Sequence, residues 1–223
     1  MQIFGVLHMP LRYIKEAGAK GKIGIWHITE PVEILLKMKK FSAEDLSQLN
    51  SFSYEHRKKE WLVSRILAEK MFSGNVEIIY DEHSKPFVKN SKKHISLSHS
   101  HNLLAVIIDD KETGIDIELI KANVLKIKEK FMSDAELKAL EKGHKEEEIT
   151  LYWCVKESLY KLYGKKKLVF KENLFVEPFE YLAKGKILGE IILDSEKRKY
   201  ILHYEKISAE GKDYMMTYVL NED

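Results

Sequence analysis

The chain contains few of the residues that mark exported, unfolded or fibrous proteins. Its single cysteine, Cys154, excludes an intramolecular disulfide and a zinc site built from cysteines. Four prolines and eleven glycines in 223 residues, with 44% hydrophobic residues, exclude collagen-like and low-complexity disordered chains. We therefore expect a globular protein of a reducing compartment, by default the cytoplasm.

Long apolar runs and a large excess of one charge are also missing. The longest apolar run, residues 103–108, is far shorter than the roughly 20 residues that cross a bilayer. The first ten residues contain no charged segment followed by a long apolar stretch, so no secretory signal is indicated. Because 37 basic and 35 acidic side chains leave a net charge of only +2, a protein that mainly coats nucleic acid is excluded.

Apolar periodicity predicts helices beside antiparallel strands in each half of the chain. In the first half the predicted elements are a helix at 42–72, which Ser42 and Asp45 begin, and strands at 22–28, 76–80, 95–98 and 103–108. In the second half they are helices at 133–142 and 147–164 and strands at 115–119, 187–193, 200–205 and 214–220. This pattern indicates an α+β fold, with a boundary placed between residues 1–110 and 111–223.

Two carboxylates alternate with apolar residues on the predicted strand at 115–119. Because side chains alternate across a strand, Asp116 and Glu118 lie on one face while Ile115 and Ile117 point into the core. A hard divalent cation could bridge the two carboxylates. The alternative, which is commoner for an isolated Asp-x-Glu, is the solvated face of an amphipathic strand.

A Glu–Lys pair lies on the predicted helix at 147–164. Glu157 and Lys161 are four residues apart and therefore neighbours on one helix face, a spacing that as an ordinary surface pair contributes only about 0.2–0.5 kcal/mol. Cys154, on the same helix, is interpreted as a small core residue because no partner base is evident.

Hydroxyl and imidazole groups are concentrated at residues 96–101, after a predicted strand. The sequence Ser-Leu-Ser-His-Ser-His suits a phosphate-binding turn, and an ordinary polar loop explains it as well. Metal binding by His99 and His101 is the weaker hypothesis, since no further ligand motif accompanies them.

Together these segments resemble the 4′-phosphopantetheinyl transferase superfamily, specifically its monomeric surfactin-synthetase-activating type. The family signatures are a Leu-Ser-His-Ser loop, a Gly-(Ile/Val)-Asp-x-Glu strand and a (Trp/Phe)-x-x-Lys-Glu-(Ser/Ala)-x-x-Lys helix. This chain has Leu97-Ser98-His99-Ser100, Gly114-Ile115-Asp116-Ile117-Glu118 and Trp153-Cys154-Val155-Lys156-Glu157-Ser158-Leu159-Tyr160-Lys161, in the same order. A fourth signature, Gly-Lys-Pro before an aromatic residue, is found as Ser84-Lys85-Pro86-Phe87, with serine replacing glycine.

The resemblance implies a fold and a reaction. The fold would be two similar subdomains, each with helices on a small antiparallel sheet, related by a pseudo-twofold axis within a monomer, with coenzyme A in the cleft between them. The reaction would transfer the phosphopantetheine arm of coenzyme A to a serine of an apo acyl or peptidyl carrier protein, releasing adenosine 3′,5′-bisphosphate. The pathway of that carrier, in fatty-acid, polyketide, peptide or lysine synthesis, stays open.

The resemblance also implies roles for individual residues. Mg²⁺, or Mn²⁺ in its place, would be held by Asp116, Glu118 and Glu157, with Glu157 alternatively acting as the base for the serine proton. Lys161 would hold a pyrophosphate oxygen, so the implied catalytic residues are Glu157, Lys161 and Asp116. Further contacts to coenzyme A are expected from Lys85, Ser98, His99, Lys156, Lys161 and Arg57.

Ordinary alternatives exist for Lys156, for the two arginines of the first half and for a run of lysines. Lys156 could instead lie on the surface. Arg57 and Arg65 lie about two helical turns apart, so one could reach the 3′-phosphate or both could simply be solvated. A basic run could dock an acidic carrier protein or only complement a helix end; it consists of Lys161, Lys165, Lys166, Lys167 and Lys171.

Two other functions compete with the transferase. A metal-dependent nuclease is disfavoured because its lysine usually follows as Glu-x-Lys on a strand and because the net charge leaves no broad basic groove. A catalytically silent module that binds coenzyme A or a carrier protein is disfavoured because Asp116, Glu118, Glu157 and Lys161 are all present.

Overall fold

The computed structural model describes residues 11–140, 146–165, 167–194 and 196–220. Its first half forms a six-stranded antiparallel sheet in the order β1-β2-β6-β5-β4-β3, with three helices beside it. The strands are β1 (Leu11–Ala17), β2 (Gly21–His27), β3 (Ile78–Tyr80), β4 (Pro86–Val88), β5 (His94–Ser100) and β6 (Leu103–Asp109). The helices are α1 (Val32–Leu35), α2 (Ala43–Ser51) and α3 (Glu55–Phe72).

The second half forms a five-stranded antiparallel sheet in the order β7-β11-β10-β9-β8, with four helices beside it. Its strands are β7 (Thr113–Leu119), β8 (Leu174–Val176), β9 (Lys184–Leu193), β10 (Glu196–Ala209) and β11 (Lys212–Leu220). Its helices are α4 (Val124–Phe131), α5 (Asp134–Ala139), α6 (Glu146–Tyr163) and α7 (Phe170–Asn173). The predicted α+β fold in two subdomains is confirmed, and the chain passes between the sheets at residues 110–112, next to the boundary placed at residue 110.

The helix predicted at 42–72 is two helices. Ser42 begins α2 with the expected capping box, in which its side chain accepts from the Asp45 N–H. No glycine or proline breaks the sequence after Ser51; instead Phe52 adopts an extended conformation and its ring lies 6.4 Å from that of Trp61 on α3. The chain turns here because tertiary packing of Phe52 outweighs local helix propensity.

Strand β1 and parts of the second half were not anticipated by periodicity. Among the described strands β1 pairs only with β2, and it alternates half-buried with exposed residues, which is a weak signal. Helix α5 begins with the expected capping box between Ser133 and Glu136 but ends at Ala139, and residues 141–142 of the predicted helix lie outside the described residues.

None of the helices in the described ranges is long and apolar enough to cross a membrane.

Three hydrophobic clusters give the molecule its layers. One lies between α3 and the first sheet, and a second lies between α6 and the second sheet. The third cluster joins the two sheets, with Ile23 and Ile107 from the first and Ile115, Ile117 and Met216 from the second. Because the sheets share this third cluster, β5 of the first half and β7 of the second half are held side by side.

Candidate active site

Three serine hydroxyls connect β5 to β7. The Oγ atoms of Ser96, Ser98 and Ser100 accept hydrogen bonds from the backbone N–H groups of Ile115, Ile117 and Leu119, at 3.2, 3.3 and 3.0 Å. The serines are two residues apart on β5, and their partners are two residues apart on β7, which puts all three hydroxyls on one face of β5. We call this set of contacts the serine seam; it joins the two halves through side chains.

The serine seam also orients the two carboxylates of β7. Ser98 Oγ donates to Asp116 Oδ1 at 2.7 Å, and Ser100 Oγ donates to Glu118 Oε2 at 2.8 Å. The hydroxyls of Ser98 and Ser100 thus each accept a hydrogen bond from the backbone of β7 and donate one to a carboxylate of β7. Asp116 and Glu118 are therefore held on one side of β7, as the alternation predicts.

Helix α6 approaches β7 closely enough to bring Lys161 to Asp116. A Cβ on Gly114 would lie 2.0 Å from the Ser158 carbonyl oxygen, so only glycine permits this approach. Lys161 Nζ donates to Asp116 Oδ1 at 2.8 Å and to the Ile115 carbonyl at 3.1 Å. The glycine of the Gly-Ile-Asp-Ile-Glu motif thus supplies the space in which this ion pair forms.

The carboxylates of this site repel one another. Burial raises the pKa of Glu157 to about 7, and the charges of Asp116 and Glu118 contribute to that rise. The pKa of Glu118 is also raised, first by burial and then by the charge of Asp116. Three acidic groups on β7 and α6 therefore share one electrostatic environment that a cation would relieve.

One atom of the site suits a divalent cation. Asp116 is 2% exposed, and among the described residues its Oδ2 atom has no hydrogen-bond partner. An unpaired, buried carboxylate oxygen is costly unless a ligand satisfies it. Within the described ranges no three acidic, imidazole or thiolate side chains already converge on one point. The residues fit an oxygen-coordinated ion in kind, with Lys161 as the counter-charge of Asp116.

A cleft of about 280 Å³ opens beside Lys161, between the two halves. Its walls carry cationic and polar groups from α3, β5, the β3–β4 turn and the end of α6. Those that bear on anion binding are Arg57, Arg65, Ser98, His99, Lys85, Lys161 and Lys165. Five of the residues expected to contact coenzyme A therefore line one cleft: Arg57, Lys85, Ser98, His99 and Lys161.

Arg57 and His99 are connected at the mouth of the cleft. Arg57 Nη1 lies 2.9 Å from Glu60 Oε2 and 3.0 Å from His99 Nε2, and His99 Nδ1 lies 3.1 Å from Glu60 Oε1. The Arg57 side chain is still 48% exposed. The arrangement leaves guanidinium N–H groups directed to solvent, where an anion could accept from them.

Arg65 differs from Arg57 in being buried. Its guanidinium lies 3.7 Å from the centre of the Trp61 ring and donates to Ser64 Oγ at 3.1 Å. Arg65 also lines the cleft. The alternative that both arginines are merely solvated is wrong for Arg65, because only 3% of this residue is exposed.

Lys85 crosses from the first half to the end of α6. Its Nζ donates to the Leu162 carbonyl at 3.0 Å and lies 3.6 Å from Glu112 Oε1. Gly164 ends α6 with a φ of 68°, and a Cβ there would lie 2.3 Å from Lys85 Cδ. Gly164 is therefore favoured by its left-handed backbone, and a side chain there would also displace the flexible end of Lys85.

Residues 96–101 require a correction. Ser96, Ser98 and Ser100 belong to strand β5, which extends to Ser100, so the expected turn is limited to the residues from His101. The segment is a strand because its backbone pairs with β6, and each serine hydroxyl finds a partner on β7. Ser98 is 7% exposed and donates to Asp116, so its contact with coenzyme A would come from a hydroxyl already engaged in the serine seam.

Lys156 is placed in the core, which corrects both expectations for it. It is 0% exposed, and its Nζ donates to the Phe131 carbonyl, to Glu136 Oε2 and to the Phe170 carbonyl. It is neither on the surface nor in the cleft, because residues at 156 and 161 point in different directions on a helix with 3.6 residues per turn. Nothing in the sequence indicated Glu136 as its partner.

A second concavity, which the sequence did not predict, adjoins Glu157. This groove, of about 580 Å³, is lined by Ile127, Lys130, Phe131, Trp153, Glu157, Tyr160 and Phe170. Tyr160 lines both the groove and the cleft, so the two are neighbours along α6. Trp153, one turn before Glu157, was the available signal, since the two residues share a helix face.

The described lysines of the basic run after α6 lie in different surroundings. Lys165 lines the cleft, while Lys171 Nζ lies 3.1 Å from Asp134 Oδ1. Lys167 is exposed, and Lys166 lies outside the described residues. Cys154 is fully buried and burial raises the pKa of its thiol, which agrees with its interpretation as a core residue.

The cleft and the carboxylates together define a site that can bind a polyanion and act on a phosphate ester. Residues 112–219, which include the carboxylates and α6, match the sequence model of the 4′-phosphopantetheinyl transferase superfamily. This match assigns residues 112–219 to that superfamily.

Several curated relatives are named as 4′-phosphopantetheinyl transferases. The chain is 30% identical to the 4′-phosphopantetheinyl transferase gsp of Aneurinibacillus migulanus over 157 residues, 68% of this chain and 63% of that protein. It is 30% identical to the transferase AcpT of Salmonella typhimurium over 48% of this chain and 60% of that protein. It is 32% identical to a 4′-phosphopantetheinyl transferase of Bacillus subtilis over 38% of this chain and 39% of that protein. The chain therefore matches less than two thirds of the length of each of these relatives.

Proposed function

We propose that this protein transfers the phosphopantetheine arm of coenzyme A to a serine hydroxyl of an apo carrier protein. The observation that carries the proposal is the juxtaposition of a cation-lined cleft with three carboxylates of β7 and α6. The cations suit the phosphates of coenzyme A, and the carboxylates suit a metal ion at the pyrophosphate. The relatives' names, as 4′-phosphopantetheinyl transferases, support the same reaction. The monomeric surfactin-synthetase-activating type is part of this proposal.

The bound nucleotide is held by the first half in this proposal. Arg57 and His99, at the mouth of the cleft, bind the phosphates of the nucleotide portion, and Lys85 lines the same cleft. Lys161 contributes from α6 as a point charge on the pyrophosphate. Because Lys161 already pairs with Asp116, its Nζ is fixed near the carboxylates before coenzyme A binds.

The metal in this proposal is Mg²⁺, with Mn²⁺ as a substitute. Asp116, Glu118 and Glu157 would hold it, since Mg²⁺ prefers carboxylate and phosphate oxygens. Such an ion would neutralise negative charge on the pyrophosphate and so favour departure of adenosine 3′,5′-bisphosphate. The unpaired Oδ2 atom of Asp116 supports its inclusion among the ligands.

The acceptor serine reaches the phosphorus from the groove beside Glu157. A displacement at phosphorus needs the attacking oxygen opposite the leaving group, and the groove adjoins the cleft through Tyr160. Glu157 lines this groove, where it can receive the serine proton directly or through a water. The carrier-protein oxygen then bonds to phosphorus while the pyrophosphate bond breaks.

Intact-mass spectrometry tests the proposal. An apo acyl carrier protein is incubated with this protein, coenzyme A and Mg²⁺, with a parallel sample that contains a chelator. A mass gain of one phosphopantetheine that the chelator abolishes is expected. No gain across several acyl and peptidyl carrier proteins, despite measurable coenzyme A binding, would instead favour a catalytically silent binding module.

A further inference from the structure

Lys156 is fully buried and makes three hydrogen bonds to three different helices. Its Nζ donates to the Phe131 carbonyl at the end of α4 at 2.8 Å, to Glu136 Oε2 on α5 at 2.7 Å and to the Phe170 carbonyl of α7 at 3.2 Å. An ammonium group has three N–H donors, so every donor of Lys156 is used. The side chain of Lys156 thus holds α4, α5 and α7 against α6.

Glu136 extends this connection to the second sheet. Its Oε2 atom accepts from the Ser133 N–H at 2.6 Å, and its Oε1 atom accepts from the Val176 N–H of β8 at 2.8 Å. Both partners of the pair are 0% exposed at their side chains. A buried pair of this kind is weak evidence of a gain in stability, because apolar residues often replace such pairs without loss. A role in fixing the arrangement of its neighbours explains the pair better.

The backbone groups that Lys156 holds belong to the aromatic walls of the groove. The Phe131 ring lies 5.1 Å from that of Trp153, and the Phe170 ring lies 5.5 Å from both Trp153 and Tyr160. Trp153 and Tyr160 are on α6 itself, whereas Phe131 and Phe170 come from α4 and α7. The distance between these walls therefore depends on where Lys156 holds the carbonyls of Phe131 and Phe170.

We propose that the Lys156–Glu136 pair is a positioning device that sets the aromatic groove beside Glu157 in the form that accepts the carrier protein. This inference rests on the proposed function. Lys156 does not contact a substrate. It acts by holding Phe131 and Phe170 in place. Loss of the pair widens or distorts the groove and leaves the cleft for coenzyme A unchanged, because none of the residues that bond to Lys156 lines that cleft.

Steady-state kinetics of Lys156→Met test this separation. Methionine has a similar length and removes the charge and all three donors. We expect the KM for carrier protein to rise about tenfold, with kcat changed by less than about twofold and with an unaltered calorimetric Kd for coenzyme A. The matched control is Leu159→Ala, which opens a cavity on α6 next to Gly189 of β9, away from the groove. It should lower the melting temperature without raising the KM for carrier protein.

A second variant and a second readout keep the test decisive. Glu136→Gln keeps the shape of the side chain and weakens the pair, so it should shift the KM for carrier protein in the same direction even if Lys156→Met does not fold. The protein has three tryptophans, so 5-fluorotryptophan labelling gives a ¹⁹F signal for Trp153 that Trp153→Phe assigns. Either variant should move this signal more than those of Trp26 and Trp61.

The outcomes separate the inference from the proposed function. An unchanged carrier-protein KM in folded Lys156→Met, or an equal rise in Leu159→Ala, would reject the positioning role. A weaker Kd for coenzyme A in both pair variants would also reject it, since the effect would not be confined to the groove. If wild-type protein transfers nothing, the proposed function fails, and an unmoved Trp153 signal then decides against the pair as well.

Discussion

The two walls of the candidate active site, one from each half of the chain, are chemically different. The first half supplies the cations Arg57 and Lys85 to the cleft, while the second half supplies Lys161 to the cleft and, beside it, the acidic groups Asp116, Glu118 and Glu157. In the proposed reaction the two walls have separate roles: the first wall binds the anionic nucleotide, and the second wall holds the metal and the reacting phosphate. Changes in the first wall should therefore affect binding of coenzyme A, and changes in the second should affect the rate of transfer.

Asp116→Ala should produce the largest effect. Removing the buried carboxylate takes away a proposed metal ligand and the partner of Lys161, so transfer should fall by about 1,000-fold, which corresponds to about 4 kcal/mol of lost transition-state stabilisation. Single-turnover mass spectrometry measures the rate, and circular dichroism checks that the fold survives. Undiminished turnover would reject Asp116 as a ligand. Asp116→Asn, which keeps the shape, should be nearly as slow because the charge is what matters.

Ser98→Ala tests the connection between the two walls. The change removes a donor to Asp116 and an acceptor for the Ile117 N–H, so unfolding should require about 1–3 kcal/mol less free energy in urea. Ser96→Ala is the matched control, because Ser96 accepts from Ile115 in the same way. We expect a larger loss for Ser98 than for Ser96. Equal losses would show that the bond to Asp116 adds nothing to the stability.

Arg57→Ala tests the first wall alone. The loss of one solvent-exposed cation at the mouth of the cleft should raise the KM for coenzyme A about tenfold and leave kcat within about twofold. Lys58→Ala, which removes the neighbouring charge on α3 outside the cleft, is the control. A fall in kcat without a change in the KM for coenzyme A would contradict the division between the two walls.

Lys167→Glu should have the smallest effect, on the approach of the carrier protein. Carrier proteins of this class are acidic, so a charge reversal beside α6 should raise the KM for carrier protein about threefold at low salt and leave the KM for coenzyme A unchanged. Lys186→Glu on β9 makes the same charge change at an exposed position elsewhere. Similar kinetics for the two variants would reject a docking edge after α6. Lys165 is unsuitable for this test of the docking edge because it lines the cleft itself.

Local periodicity predicted much of the fold and the face of the carboxylates. The alternation at residues 115–119 predicted that Asp116 and Glu118 share a side, and the capping boxes at Ser42 and Ser133 were confirmed. Periodicity describes one element at a time, however. It therefore did not show that Phe52 packs on Trp61 and ends α2, nor that β1 pairs at the edge of the first sheet.

The sequence was less informative where charge and burial conflict. Lys156 and Lys161 stand in one motif on one helix, yet the first is sealed among Phe131, Glu136 and Phe170 and the second reaches Asp116. A buried lysine is unexpected until its acceptors are known, and those acceptors come from three separate helices. Likewise, residues 96–101 suggested a loop because the β7 groups that bond to the serines are distant in sequence.

The serine seam makes the spacing of β5 intolerant of length changes. A single inserted residue between Ser96 and Ser98 would reverse every side chain beyond it, because the strand repeats every two residues. Leu97 and His99 lie between the three serines in sequence, so a shift by one would exchange a hydroxyl for a hydrocarbon or an imidazole opposite β7. The same event would remove His99 from the mouth of the cleft, so one insertion would damage the joint and the binding site together.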